Sequence, residues 1–232
     1  MVQTAAAVCY DARMASQPGE GLDATHREPL HLAGGAGLVF AALYLAHVVL
    51  QSPGPADGSV ITVTAYFSER RFELLLSEAL NGIGLIVLVL FLAGLVGLLR
   101  QAGEHVGATA VLVSGTAFVA LGLVSTAAET ALVRVAAIGE RAAVLMLFEL
   151  QSTIPVVFAI SAFTGTIALA LLRTQQLPRW LGVAGLGASA VFLMGAVLSI
   201  FGTAEGESLP LGPALFLAWM LVLCIGLLRA DG

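Results

Sequence analysis

Six apolar stretches, at residues 32–51, 76–99, 107–129, 150–172, 180–202 and 211–228, dominate this chain. Each is close to the ~20 residues that a helix needs to cross roughly 30 Å of hydrocarbon. Inside a bilayer every backbone polar group must be satisfied by the chain itself, so only helices and closed barrels can span it. A barrel would show strict apolar–polar alternation, and these stretches do not. Of the 232 residues, 59% are apolar and 11% charged, whereas a soluble domain carries about 25% charged residues. So few charged groups cannot cover a water-facing surface. The expected fold is an all-α membrane protein, a bundle of six transmembrane helices.

The segments between the spans hold the helix breakers: "QSPGPADGS" (51–59), "RQAGEHVG" (100–107), "RTQQLPRW" (173–180) and "GTAEGESLPLGP" (202–213). Residues 1–29 are polar and lack the basic and apolar regions of a signal peptide, so they are expected to form a disordered tail ahead of a six-span domain at 30–232. Nothing before Met14 looks structural, which makes Met14 an expected start.

An even number of spans puts both termini on one side. That side holds Arg13, Arg27, Arg100, Arg173, Arg179 and Arg229, against Arg70, Arg71, Arg134 and Arg141 on the other. The arginine excess points to a cytoplasmic location for both termini, in a multi-pass protein of a bacterial cytoplasmic (inner) membrane. All ten basic residues are arginine, which excludes Schiff-base and Walker-type lysine chemistry. A net charge of −5 argues against nucleic acid as a partner. Cys9 and Cys224 lie in different environments and support neither a disulfide nor a cysteine metal site. No cofactor can be read from the sequence.

The spans carry a few acids that lipid would not tolerate at random. Glu129 follows Thr126 (i−3), Ser125 (i−4) and Gly122 (i−7) on one face of span three. Glu78 shares a face with Asn81 and Gly82 on span two. Glu149 shares one with Ser152 and Thr153 at the start of span four, beside Pro155. His47 stands one turn inside the end of span one at Gln51. Counting ~20–22 residues from the opposite ends brings His47, Glu78, Glu129 and Glu149 to a similar height, near the outer boundary. A charge at mid-bilayer costs ~2.5–3.5 kcal/mol on insertion scales. Carboxylates sharing a pocket cannot all remain ionised without a compensating cation. The expected site is therefore a carboxylate-lined pocket formed by Glu78, Asn81, Glu129, Glu149, Ser125, Thr126 and Ser152, and the corresponding metal reading takes His47, Glu78, Glu129 and Glu149 as ligands. Each glutamate taken singly also fits a solvated position at the interface.

Two function classes follow. The first is a transport-related protein or membrane-complex subunit that binds a small ligand or cation. The alternative is a membrane-embedded enzyme acting on a lipid or isoprenoid-like substrate, with glutamates as general acid and base. Against the enzyme stands the lack of a nucleophile motif, HExxH or an aspartate-rich motif. Against a transporter stands the lack of paired broken helices. The apolar segment 130–148 reads either as an outward extension turning at Gly139 or as long, tilted spans. As an extension it would contact a protein partner or a second copy of the chain, or lie over the pocket, while the spans meet membrane lipid. The glycines of "HLAGGAGL" and "GVAGLGASA", with Gly185 and Ser189 spaced as small-xxx-small, read as helix-packing surface.

The Gly-rich first span "HLAGGAGLVFAALYLAHVV" and the fourth span running into "ALLRTQQLPRWLGVAGLGAS" give roughly residues 30 to 205 a layout that resembles an uncharacterised, actinobacterial-type family of six-helix bacterial membrane proteins. The resemblance implies the six-span fold and carries no activity to any residue.

Overall fold

The computed structural model describes residues 20–52, 55, 59–153, 156–174, 177–200 and 211–229, and every regular element among them is a helix. In chain order these are α1 (Glu20–Gln51), α2 (Val60–Glu69), α3 (Arg71–Gln101), α4 (His105–Ala137), α5 (Arg141–Thr153), α6 (Val156–Thr174), α7 (Arg179–Ile200) and α8 (Leu211–Arg229). Six segments are long and apolar enough to cross a membrane: Leu30–Gln51, α3, α4, Arg141–Thr174, Arg179–Leu198 and Gly212–Arg229. The chain is an all-α six-span bundle, with α5 and α6 together supplying the fourth span.

Two expectations about the ends change. Helix α1 begins at Glu20, so the last part of the expected tail, residues 20–29, is helical. The remainder of the expected tail, residues 1–19, lies outside the described residues. Spans two to four also run past their apolar cores. Helix α3 has 31 residues and α4 has 33, about 46 and 50 Å at 1.5 Å per residue.

Packing follows from small residues opposite large ones. Gly37 of α1 lies against Phe91 and Cys224, and Gly34 against Leu228. Gly115 and Gly122 of α4 receive Leu92 and Leu85 of α3. Phe216 of α8 is fully buried, with the rings of Phe40, Tyr44, Phe118 and Phe192 within 6.0–6.4 Å of its own. Helices α6 and α7 are joined by a reciprocal pair of bonds, each 2.8 Å: Ser161 Oγ donates to the Ser189 carbonyl and Ser189 Oγ to that of Ser161. Because Gly34 meets Leu228, the start of the first span lies beside the end of the last, and both termini leave from the same end of the bundle. At that end Glu104 caps α4 and pairs with Arg173 at 3.1 Å.

The opposite end is built differently. Helix α4 turns at Gly139, whose φ of 76° is a left-handed value that suits glycine, and α5 returns alongside it. Helix α2, capped by Ser59, lies against both. Val63, Phe67, Leu74, Leu132, Val133, Ala136 and Val144 form a second apolar cluster there, separate from the main core. Segment 130–148 is thus the end of α4 and most of α5, turning at Gly139 and lying largely within segments long and apolar enough to cross a membrane; its inner face packs in this cluster, and Ile138 and Met146 are each 73% exposed.

Candidate functional site

Between the main core and the second apolar cluster lies a layer of buried polar side chains. His47, Ser77, Glu78 and Glu129 are all less than a tenth exposed. Their positions follow from helix register. His47 and Gln51 are four residues apart at the end of α1, so both face α3 and α4. Glu78 sits two turns into α3, and Glu129 two turns before the end of α4.

Gln51 joins the acids. Its Nε2 donates one hydrogen to Glu78 Oε1 at 2.9 Å and the other to Glu129 Oε1 at 2.5 Å. Sharing one amide nitrogen brings the two carboxylates to neighbouring positions from different helices. Gln151 of α5 donates to the other oxygen of Glu129, at 2.9 Å. Below them Asn81 donates to Thr126 Oγ1 at 2.9 Å, holding α3 to α4. Glu78 Oε2 is buried with no hydrogen-bond partner among the described residues.

His47 secures the other flank. Ser77 Oγ donates to the His47 carbonyl at 3.1 Å, leaving its lone pair to accept from the imidazole Nδ1–H at 2.8 Å. Nδ1 also lies 3.6 Å from Glu78 Oε1, beyond a good hydrogen bond. Among the described residues the imidazole is the sole basic group within 4 Å of either buried acid.

Helix α2 fixes where Gln51 stands. The last carbonyls of a helix have no intrahelical donor. Tyr66 Oη donates to the Gln51 carbonyl at 2.6 Å, and Arg70 Nη2 to that of Leu50 at 2.7 Å. Arg70 also pairs with Glu73 at 2.8 Å and lies 5.3 Å from the centre of the Tyr66 ring. Its positive charge at the end of α1 suits the helix dipole. Over Gln51, Glu129 and Gln151 opens a cavity of about 310 Å³, with Tyr66, Phe67, Phe148 and Pro55 as its other walls.

The structure thus brings together Glu78, Glu129, Asn81 and Thr126 of the expected set, with His47 beside them. Ser125 is half-buried and outside the network. Glu149 is exposed on α5 and does not join the cluster. On that helix Val144 and Gln151 are seven residues apart and share the inward face, while Glu149 points elsewhere. The side chains of Ser152 and Thr153, and all of Pro155, lie outside the described residues. The four-ligand metal set does not form: among the described residues no three His, Cys, Asp or Glu side chains come together as ligands would. Gln51, Gln151, Ser77 and Tyr66 are the participants that reading for charge misses. The i, i+4 spacing of His47 and Gln51 was the available signal. No protein family, curated protein or solved structure matches this chain.

Proposed function

We propose that this chain is a multi-pass protein of a bacterial cytoplasmic membrane that captures a small ligand in the cavity over Glu129, at the outer end of the bundle, in a transport-related role or as a subunit of a membrane complex. The observation that carries this reading is the Gln51 amide shared between two buried glutamates, with Gln51 and Glu129 lining an open cavity. Burying two carboxylates costs several kcal/mol each on an order-of-magnitude scale unless they are compensated. A fold that needed only packing would place apolar side chains there. Polar and ionisable groups held at membrane depth mark ligand or ion paths by default. The arginine excess at the end with the termini supports the outward placement of the cavity.

The test is thermal unfolding of the detergent-purified protein against a panel of small cations, zwitterions, neutral polyols and anions. The reading predicts that at least one member raises the melting temperature of the parent and not of Glu129→Gln. Stabilisation by none of them, or equally in both proteins, would refute it.

A further inference from the structure

From the arrangement of donors and acceptors we infer that the ligand is an organic cation whose head carries at least two N–H donors, a guanidinium or primary ammonium, and that Gln51 is a built-in occupant of its head-group subsite. This rests on the preceding reading that the cavity binds a ligand at all.

The Gln51 Nε2 stands between Glu78 Oε1 and Glu129 Oε1 and gives one hydrogen to each. A guanidinium or ammonium at the same point makes the same two bonds and adds the positive charge that a neutral amide lacks, and bonds between charged partners are the stronger kind. It would also supply a donor to Glu78 Oε2, which is buried with no partner among the described residues. The amide therefore satisfies the geometry of the pair without its charge. The Gln51 main-chain carbonyl is held by Tyr66 and that of the preceding Leu50 by Arg70, so yielding the place needs only rotation of the side chain into the adjoining cavity. The walls there are Tyr66, Phe67 and Phe148, rings that accept a hydrocarbon body and favour a cation over their faces. An anion would meet two carboxylates, and a bare metal ion would find too few convergent ligands.

The probes are n-butylguanidinium, n-butylammonium, n-butyltrimethylammonium and n-butanol, titrated calorimetrically into the full chain in detergent. The parent should bind the first two at least tenfold more tightly than the last two. Gln51→Met, which keeps length and removes the donor, should tighten guanidinium binding by about tenfold, the factor expected when one competing hydrogen-bonded contact is lost. Gln51→Asn, which withdraws the amide by one methylene, should tighten it in the same direction and serves if the Met variant fails to fold. Glu78→Gln and Glu129→Gln should each lose the preference for the charged heads. Equal binding of the trimethyl or alcohol probe, or weaker guanidinium binding in both Gln51 variants, would overturn the inference and leave the cavity a ligand site. Binding of none of these probes, nor of any compound in the wider panel, would overturn both.

Discussion

Gln51 and Glu129, 78 residues apart in the chain, meet through a 2.5 Å hydrogen bond in the layer between the main apolar core and the second apolar cluster. The same amide holds Glu78, so the ends of three helices are tied at one nitrogen. The consequences of that tie can be measured separately.

Replacing Glu78 distinguishes shape from charge. Glu78→Gln keeps an acceptor for Gln51 and removes one of two neighbouring acids, so it should melt at or above the parent. Glu78→Ala leaves a Gln51 donor unpaired and should cost about 1–3 kcal/mol. Thermal unfolding in detergent compares the two. Equal losses would mean that the carboxylates do not crowd one another.

Ser77 is expected to act through His47. Ser77→Ala removes both bonds to the His47 ring and carbonyl, and should cost about 1–2 kcal/mol. In a double-mutant cycle with His47→Ala, the pair should couple by at least about 0.5 kcal/mol. Strict additivity would mean that the contact contributes nothing.

Tyr66 supplies a pH signature. Burial pushes its hydroxyl above the ordinary value of 10.0; Arg70 opposes this, and Glu129 and Glu73 add to it. The folded state therefore favours the neutral phenol, which donates to the Gln51 carbonyl. That contribution is fully present below pH 10 and is lost as pH rises through the higher folded value. Tyr66→Phe should unfold about 1 kcal/mol more easily at neutral pH. Melting curves from pH 8 to 11 should show the gap narrowing only above 10; a gap that is constant or widens with pH would contradict this assignment.

Two glycines of α7 should respond in opposite ways. A Cβ at Gly185 would stand 2.8 Å from both Ala168 Cβ and the Trp219 ring, and one at Gly187 would meet nothing within 4 Å. Gly185→Ala should therefore destabilise by about 1–3 kcal/mol, while Gly187→Ala should be neutral or stabilise by up to ~1 kcal/mol. The reverse order would mean that α7 is rotated from its described orientation.

The six spans were legible because hydropathy and length leave almost no alternative in a chain with so few charges. Depth was legible too: counting residues from the helix ends brought His47, Glu78 and Glu129 to one level. Azimuth was not, and this is why Glu149 is at the surface while Gln151 reaches Glu129. An acid advertises itself by its insertion cost, and an amide does not, so Gln51 and Gln151 carried no comparable signal. Helix α2 was hidden for another reason. "VITVTAYFSE" is rich in β-branched residues, which favour strands, and Val63 and Phe67 hold it helical by burial in the second apolar cluster.

The central claim is that the side chain of residue 51 stands between the carboxylates of Glu78 and Glu129, in a place fit for a cation. Lysine at that position carries an ammonium to the two carboxylates, the charge that the amide lacks. Gln51→Lys should therefore melt above the parent at neutral pH, by roughly 2–8 °C for a gain of about 1–2 kcal/mol. Gln51→Lys combined with Glu129→Gln should lose that gain. A melting temperature of Gln51→Lys at or below the parent's, or a gain that persists without Glu129, would contradict the account.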